Sequence, residues 1–331
     1  MNPLRSAASA AASVPSEYGV AALRAFEAWL GKNHCDVLGA QCGFRMVQSE
    51  SGRGIVSTRR FRQGTTVVSV PMHHLAITAE KLFASSEFVR SAKPPTQDEI
   101  RKIMVRESVN DPMIHHQMHF ALLLALERMN PKSFFFPYFE TLPHPAIDDA
   151  KVMGLHKDVL NPVELLEWDG YQRLFISCIR AVLSSWGSGA PPEVVAHWAF
   201  RTVMARMHLL PDRGLTPMER GTSLNYSALE SLMMVKEQES RLARFRSTIR
   251  SLLGQNAHEY RLVPTLVPVL DRVGHVPAAN VSVEVVPRHG FGSCAELQAV
   301  TEIQEGEEVG LCFNRSHSAA LTLYRFGFLP I

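Results

Sequence analysis

The stretch "GEEVGLCFN", Gly306 to Asn314, poses the first chemical question of this sequence. A polar turn, Glu305 to Glu308, feeds a short apolar strand, Val309 to Phe313, which closes on a ring with nothing to donate or accept. "HHQMH" puts His115 and His119 one helical turn apart, the spacing of a helical metal pair. No acid stands at matching spacing, so this reads as a polar helix face and no metal site is expected. Gly52-Arg53-Gly54 is too short for a phosphate loop and no helix follows it, which excludes a Walker or dinucleotide-binding reading. There is no G-x-S-x-G elbow and no Cys-His nucleophile pair. Arg241, Arg244, Arg246 and Arg250 share a charge-rich helix with Glu237 and Glu239. Two readings stay open for it: a solvated face, or a patch for RNA or an acidic partner.

The elements that must position these residues follow from the period of the apolar pattern. "EYGVAALRAFEAWLGKNH" sets Ala22, Phe26 and Leu30 on one helical stripe, and "GFRMVQSESGRGIVSTRRFRQGTTVVSVP" reads as small strands between Gly and Ser turns. From about Ile77 the period becomes helical. "HHQMHFALLLALERM" is a helix, Asn161 caps the next with Pro162 in its first turn, and Pro191-Pro192 open a third that runs through "ARMHLL". "SALESLMMVKEQESRLARFRSTIRSLLGQ" is helical, with Leu242, Phe245, Ile249 and Leu252 as its stripe. After Gly254 the chain is strand-like again, in "LVPTLVPVL", "NVSVEVV", "ELQAVTEI" and "EEVGLCF". This order of strands, helices and strands predicts an α+β fold with a helical insertion. It divides the chain into 1–20, an extension; 21–78 and 260–331, two parts of one β-rich unit; and 79–259, the insertion.

Composition excludes several classes. The 331 residues are 46% hydrophobic and 20% charged, against general disorder, and the net charge of +2 calls for no nucleic acid. No apolar run reaches the roughly 20 residues of a membrane span. Five scattered cysteines lack C-x-x-C spacing, which suits a reducing compartment. "MNPLRSAASAAASVPS" is rich in Ala and Ser and has no acid before Glu17, as in a mitochondrial transit segment; an unstructured start of a cytoplasmic protein fits as well.

The order of five pieces is more specific than any one of them. "FEAWL…SGRGIVSTRRFRQGTTVVSVP", "PYFETLP", "WAFRTVMAR", "LVPVLDRVGHVPAANV" and "GEEVGLCFN…LYRFGF" together resemble the SET-domain methyltransferases of the Rubisco large-subunit methyltransferase-like class, from about Ala22 to Phe328. The resemblance implies a SET β-fold with a knot-like C-terminal segment and a large helical insertion. It implies a turn at Gly52, Arg53 and Gly54 that lets the backbone approach S-adenosylmethionine. It also implies a helix bearing Trp198, Ala199 and Val203 that ends at Arg206 near that cofactor, with Ala205 in a small-hydroxyl place. A cofactor wall matches at Leu266, Val267, Pro268, Asp271, His275 and Pro277, while Gly274 and Val276 replace its asparagine and serine. The catalytic tyrosine and a second channel aromatic fall on Phe313 and Phe326, so no catalytic residue is intact.

Losing one preorganised polar group of the tyrosine kind costs roughly 10²–10³ in rate. The nearby Tyr324 stands two residues early and is expected to point elsewhere. The class continues into a helical substrate-binding domain after this segment, whereas this sequence ends at Ile331; Met207 to Arg261 stand where the class has a short link. These departures imply a catalytically impaired homologue, a pseudoenzyme, serving as a structural or assembly subunit of a larger complex such as the mitochondrial ribosome. Protein, or RNA, would be met through Arg241, Arg244 and Arg250. The alternative is an active S-adenosylmethionine-dependent N-methyltransferase acting on protein lysine or histidine.

Overall fold

The computed structural model describes residues 17–33, 35, 44–49, 52–142, 160–212, 262–276, 278–288, 292–312 and 319–326. Helix α1 (Glu17–Lys32) leads into β1 (Phe44–Ser49), β2 (Gly52–Ser57) and β3 (Thr66–Pro71). A helical stretch follows: α2 (Met72–Leu75), α3 (Ala79–Ser85), α4 (Glu87–Ser91), α5 (Gln97–Arg106), α6 (Pro112–Met129), α7 (Phe136–Phe139), α8 (Pro162–Trp186) and α9 (Glu193–Arg206). Then come β4 (His208–Pro211), β5 (Leu262–Thr265), a 3₁₀ turn (Leu270–Arg272), β6 (Gly274–His275), β7 (Val281–Arg288), β8 (Gly292–Ala299), β9 (Glu308–Leu311) and α10 (Ala319–Phe326).

Several helices start where a side chain satisfies the first orphan amides. Asp111 accepts from Met113 N–H at 2.8 Å ahead of Pro112. Asn161 and Glu164 form a reciprocal capping box at α8, as do Thr96 and Glu99 at α5. Helix α6 is buried nearly all round, from Phe120 to Glu127, and packs against α9, α5, α4 and α3. An amphipathic face would not suffice there, because neighbours surround it on every side.

Strands early and late in the chain interleave. One sheet runs β1-β2-β9-β6, a second β3-β8-β7, and β4 with β5 forms an antiparallel ribbon. The joins are β2 with β9 and β3 with β8, both antiparallel, with Ile55 opposite Val309 and Val70 opposite Ala295. In the second sheet Glu296 is fully buried, yet its carboxylate is satisfied. It accepts from Ser69 Oγ and Thr66 Oγ1 at 3.1 Å, Gln298 Nε2 at 2.7 Å and Arg288 Nε at 2.5 Å.

Two readings from periodicity are corrected. The third helix stops at Arg206, and His208–Pro211 is a strand, because its backbone pairs residue for residue with Leu262–Thr265. "LVPTLVPVL" is strand only to Thr265; Pro268, with no N–H to donate, and Val269 at φ 81° turn the chain into the 3₁₀ segment.

Candidate functional site

The site builds on a row of glycines across three strands. Gly52-Arg53-Gly54 is not a turn but the start of β2, each residue paired with β1: Gly52 with Ser49, Arg53 with Gln48, Gly54 with Val47. On the other edge β9 pairs in parallel with β6, Gly310 beside Gly274 and Leu311 beside His275. Strand alternation then puts Gly54, Gly274, Gly310 and Glu308 on one face, with Ile55, Val309 and Leu311 buried on the other.

The space above this row is taken. A Cβ on Gly274 would collide with Glu308 Oε1. A Cβ on Gly310 would stand 2.8 Å from the Cβ of Val276 and closer still to both its methyls. Gly274 and Val276, which stand in the resemblance at an asparagine and a serine, thus lie against Glu308 and Gly310 respectively. Nearby, Asn280 braces β9: its Oδ1 accepts from Gly310 N–H and its Nδ2 donates to Glu308 O, both at 2.8 Å. Sequence reasoning passed over Asn280, since it reads as the first residue of a strand.

Arg206 ends α9 and donates through Nη1 to Asp271 O at 2.9 Å; the same nitrogen is 3.5 Å from Asp271 Oδ2. Tyr138 donates its hydroxyl to that Oδ2 at 2.8 Å. Arg272, almost wholly buried, donates to Thr141 O at 2.9 Å and to Thr141 Oγ1. Burial first, and the Asp271 charge second, push the Tyr138 phenol well above its ordinary range, so it stays a donor. Upstream, buried Val269 adopts φ 81°, a region costly for a β-branched residue, which marks this turn as held by its surroundings. Tyr138 lies in "PYFETLP"; the signal for it was the motif, and its role emerges only from the fold.

Of the residues expected at a site, Gly54 and Gly274 share the row, and Arg206 is anchored three residues before Gly274, on a segment that packs against β2. Gly52, Arg53 and His275 are placed by their backbones alone, and Phe326 is the last residue of α10. Phe313 and the segment of Arg241, Arg244 and Arg250 lie outside the described residues. Tyr324 is fully buried and turned into the helices, 5.2 Å from the Phe175 ring and 6.3 Å from that of Tyr171. His115 holds Val109 O through Nε2 at 2.8 Å, and burial keeps the His119 imidazole below its ordinary pKa. Among the described residues no three His, Cys, Asp or Glu side chains gather as metal ligands, and no helix is long and apolar enough to cross a membrane.

No protein-family model and no curated protein matches the sequence. Solved structures do match the fold. The SET domain of LSMT bound to lysine and AdoHcy superposes with a TM-score of 0.56 at 14% identity, over 96% of this chain and 58% of that one. The same domain with methyllysine and AdoHcy gives 0.54 at 14% identity, over 93% and 57%. Rubisco LSMT bound to sinefungin and monomethyllysine gives 0.51 at 15%, over 93% and 56%. This chain thus spans a little over half the length of the chains it resembles. The α+β architecture, with its interleaved early and late strands, is that of the SET domain.

Proposed function

We propose that this chain is a catalytically impaired homologue of the SET-domain methyltransferases that serves as a structural or assembly subunit of a larger complex. The observation that carries this reading is the filled glycine row. The resemblance calls for an asparagine at Gly274 and a serine at Val276, and the space there now holds the Glu308 carboxylate and the Val276 side chain. S-adenosylmethionine, when bound in this fold, supplies an activated methyl group. Of the residues that would hold it, the β2 backbone and anchored Arg206 fit, whereas the wall at Gly274 and Gly310 does not. Phe313, in the tyrosine position, offers no hydroxyl to orient an acceptor amine.

Partner contact is assigned to the segment with Arg241, Arg244 and Arg250, since arginine pairs bidentately with carboxylate or phosphate. The test is co-purification of the tagged chain from its own cells, with an assay for methyl transfer from labelled S-adenosylmethionine. The wild type should travel with a large assembly and transfer no methyl group. Changing the three arginines to Glu should release the chain from that assembly. Methyl transfer by the purified chain, at rates that depend on its own residues, would overturn the reading.

A further inference from the structure

Asn280 stands in a sequence pattern that its place in the fold contradicts. Asn280-Val281-Ser282 is a complete Asn-x-Ser triplet, the acceptor pattern for N-linked glycans; two more begin at Asn225 and Asn314, outside the described residues. A triplet of this kind that carries a glycan lies on the surface, because the amide must take on a bulky polar sugar. Here the asparagine comes immediately before β7 and is 6% exposed.

Its amide is already committed. Nδ2 donates to Glu308 O at 2.8 Å and to Glu307 Oε1 at 3.3 Å, so both of its hydrogens are used. Oδ1 accepts from Gly310 N–H at 2.8 Å. The backbone is held as well: the N–H of Asn280 donates to Gly310 O at 3.1 Å, and its C=O accepts from Val300 N–H at 2.9 Å. Side chain and backbone together tie this residue to β9 and to the residue that follows β8.

A glycan attaches at Nδ2. Transfer breaks the glycosyl C1–O bond to a lipid diphosphate carrier and forms a C1–N bond, and the displaced amide proton leaves with the diphosphate. One donor is then gone, and a sugar ring must fit against β9, where the asparagine itself is almost wholly buried. The folded protein hides the amide, so only the unfolded chain can be modified, and the modified chain cannot close β9 onto Asn280.

We infer that Asn280 is a latent glycosylation site whose use is incompatible with the fold, and that the protein is therefore made and folded outside the secretory pathway. This conflict stands whether or not the glycine row takes a cofactor.

The full chain is translated behind a cleavable signal sequence, in the presence of microsomes that carry the lipid-linked oligosaccharide. Ser227→Ala and Ser316→Ala remove the other two acceptors; Ser282→Ala, compared in that background, removes the third and keeps Asn280. Glycosidase digestion with gel mobility counts the glycans, and limited proteolysis after detergent release reads the fold. One glycan should be added with Ser282 present and none with Ser282→Ala. The glycosylated chain should be cut about tenfold faster or more than the Ser282→Ala chain, which should match the chain made without microsomes. Absence of a glycan at Asn280 would overturn the inference, and so would a glycosylated chain as resistant as the unmodified one. A Ser282→Ala chain as sensitive as the glycosylated one would also overturn it, since the compartment and not the glycan would then be the cause. In protein made without microsomes, Asn280→Ala should lower the thermal midpoint by about 3 °C or more, because Gly310 N–H and Glu308 O lose their partner; an unchanged midpoint would show that the amide is not committed as described.

Discussion

Gly310→Ala is the sharpest perturbation of the strand row. The new methyl would lie 2.8 Å from the Cβ of Val276, where carbon atoms normally rest about 3.5–4.0 Å apart. Rotation about χ1 cannot relieve this, because the Cβ of Val276 is fixed to the backbone and its branched methyls collide as well. Strands β9 and β6 must separate by about 1 Å, straining the amide of Val276, which donates to Leu311 O at 3.0 Å, and the brace from Asn280 to Gly310. Overpacking at about 1–3 kcal/mol, with a hydrogen bond weakened at about 1 kcal/mol, puts the loss near 3 kcal/mol. At about 2–4 °C per kcal/mol the thermal midpoint should fall by roughly 6–12 °C. Gly274→Ala is the control. Its new methyl meets only the end of the Glu308 side chain, which can swing aside, so the loss should stay under about 1 kcal/mol. Urea unfolding of both variants, and of Gly310→Ala combined with Val276→Gly, completes the assay. The second change should show a favourable coupling of about 1 kcal/mol or more. If Gly310→Ala is as stable as the wild type, or no worse than Gly274→Ala, the glycine row is not packed as described.

Further outcomes follow from other parts of the molecule. Phe313→Tyr alone should not give robust methyl transfer from labelled S-adenosylmethionine, because the wall at Gly274 and Val276 is unchanged; full activity would contradict this. Tyr138→Phe removes the hydroxyl donated to Asp271 and should cost about 1.5–3 kcal/mol in urea unfolding, whereas a neutral effect would mean that Arg206 and Arg272 suffice for the carboxylate. Glu296→Leu strands four donors, Arg288 among them, and should cost about 3 kcal/mol; an unchanged midpoint would refute the buried network. Asp98, hydrogen-bonded to Lys102 and Arg101, is held down at about 2, below its unfolded value near 4. Its stabilisation is present above the unfolded value and lost as pH falls through the folded one. The gap in urea midpoint between wild type and Asp98→Asn should therefore close from about pH 4 to about pH 2, and a constant gap would contradict the assignment.

Much of the fold was legible because local chemistry and tertiary packing agreed. Asn161 with Pro162 announced α8, and the alternation in "NVSVEVV" announced β7, since each needs only its own neighbours in sequence. His208–Pro211 reads in the sequence as a helix tail because four residues carry no period, and only the partner strand Leu262–Thr265 decides. At the site, Gly274 and Arg206 were legible by resemblance. Glu308 and Asn280 were not, because their roles depend on the parallel pairing of β6 with β9, which joins residues 36 positions apart.

The most direct test of the central claim is calorimetric titration of the folded wild-type chain with S-adenosylmethionine. A glycine row closed at Gly310 by the Val276 side chain predicts no saturable binding tighter than about 1 mM. Saturable binding in the micromolar range would show that the wall is open and would contradict the account.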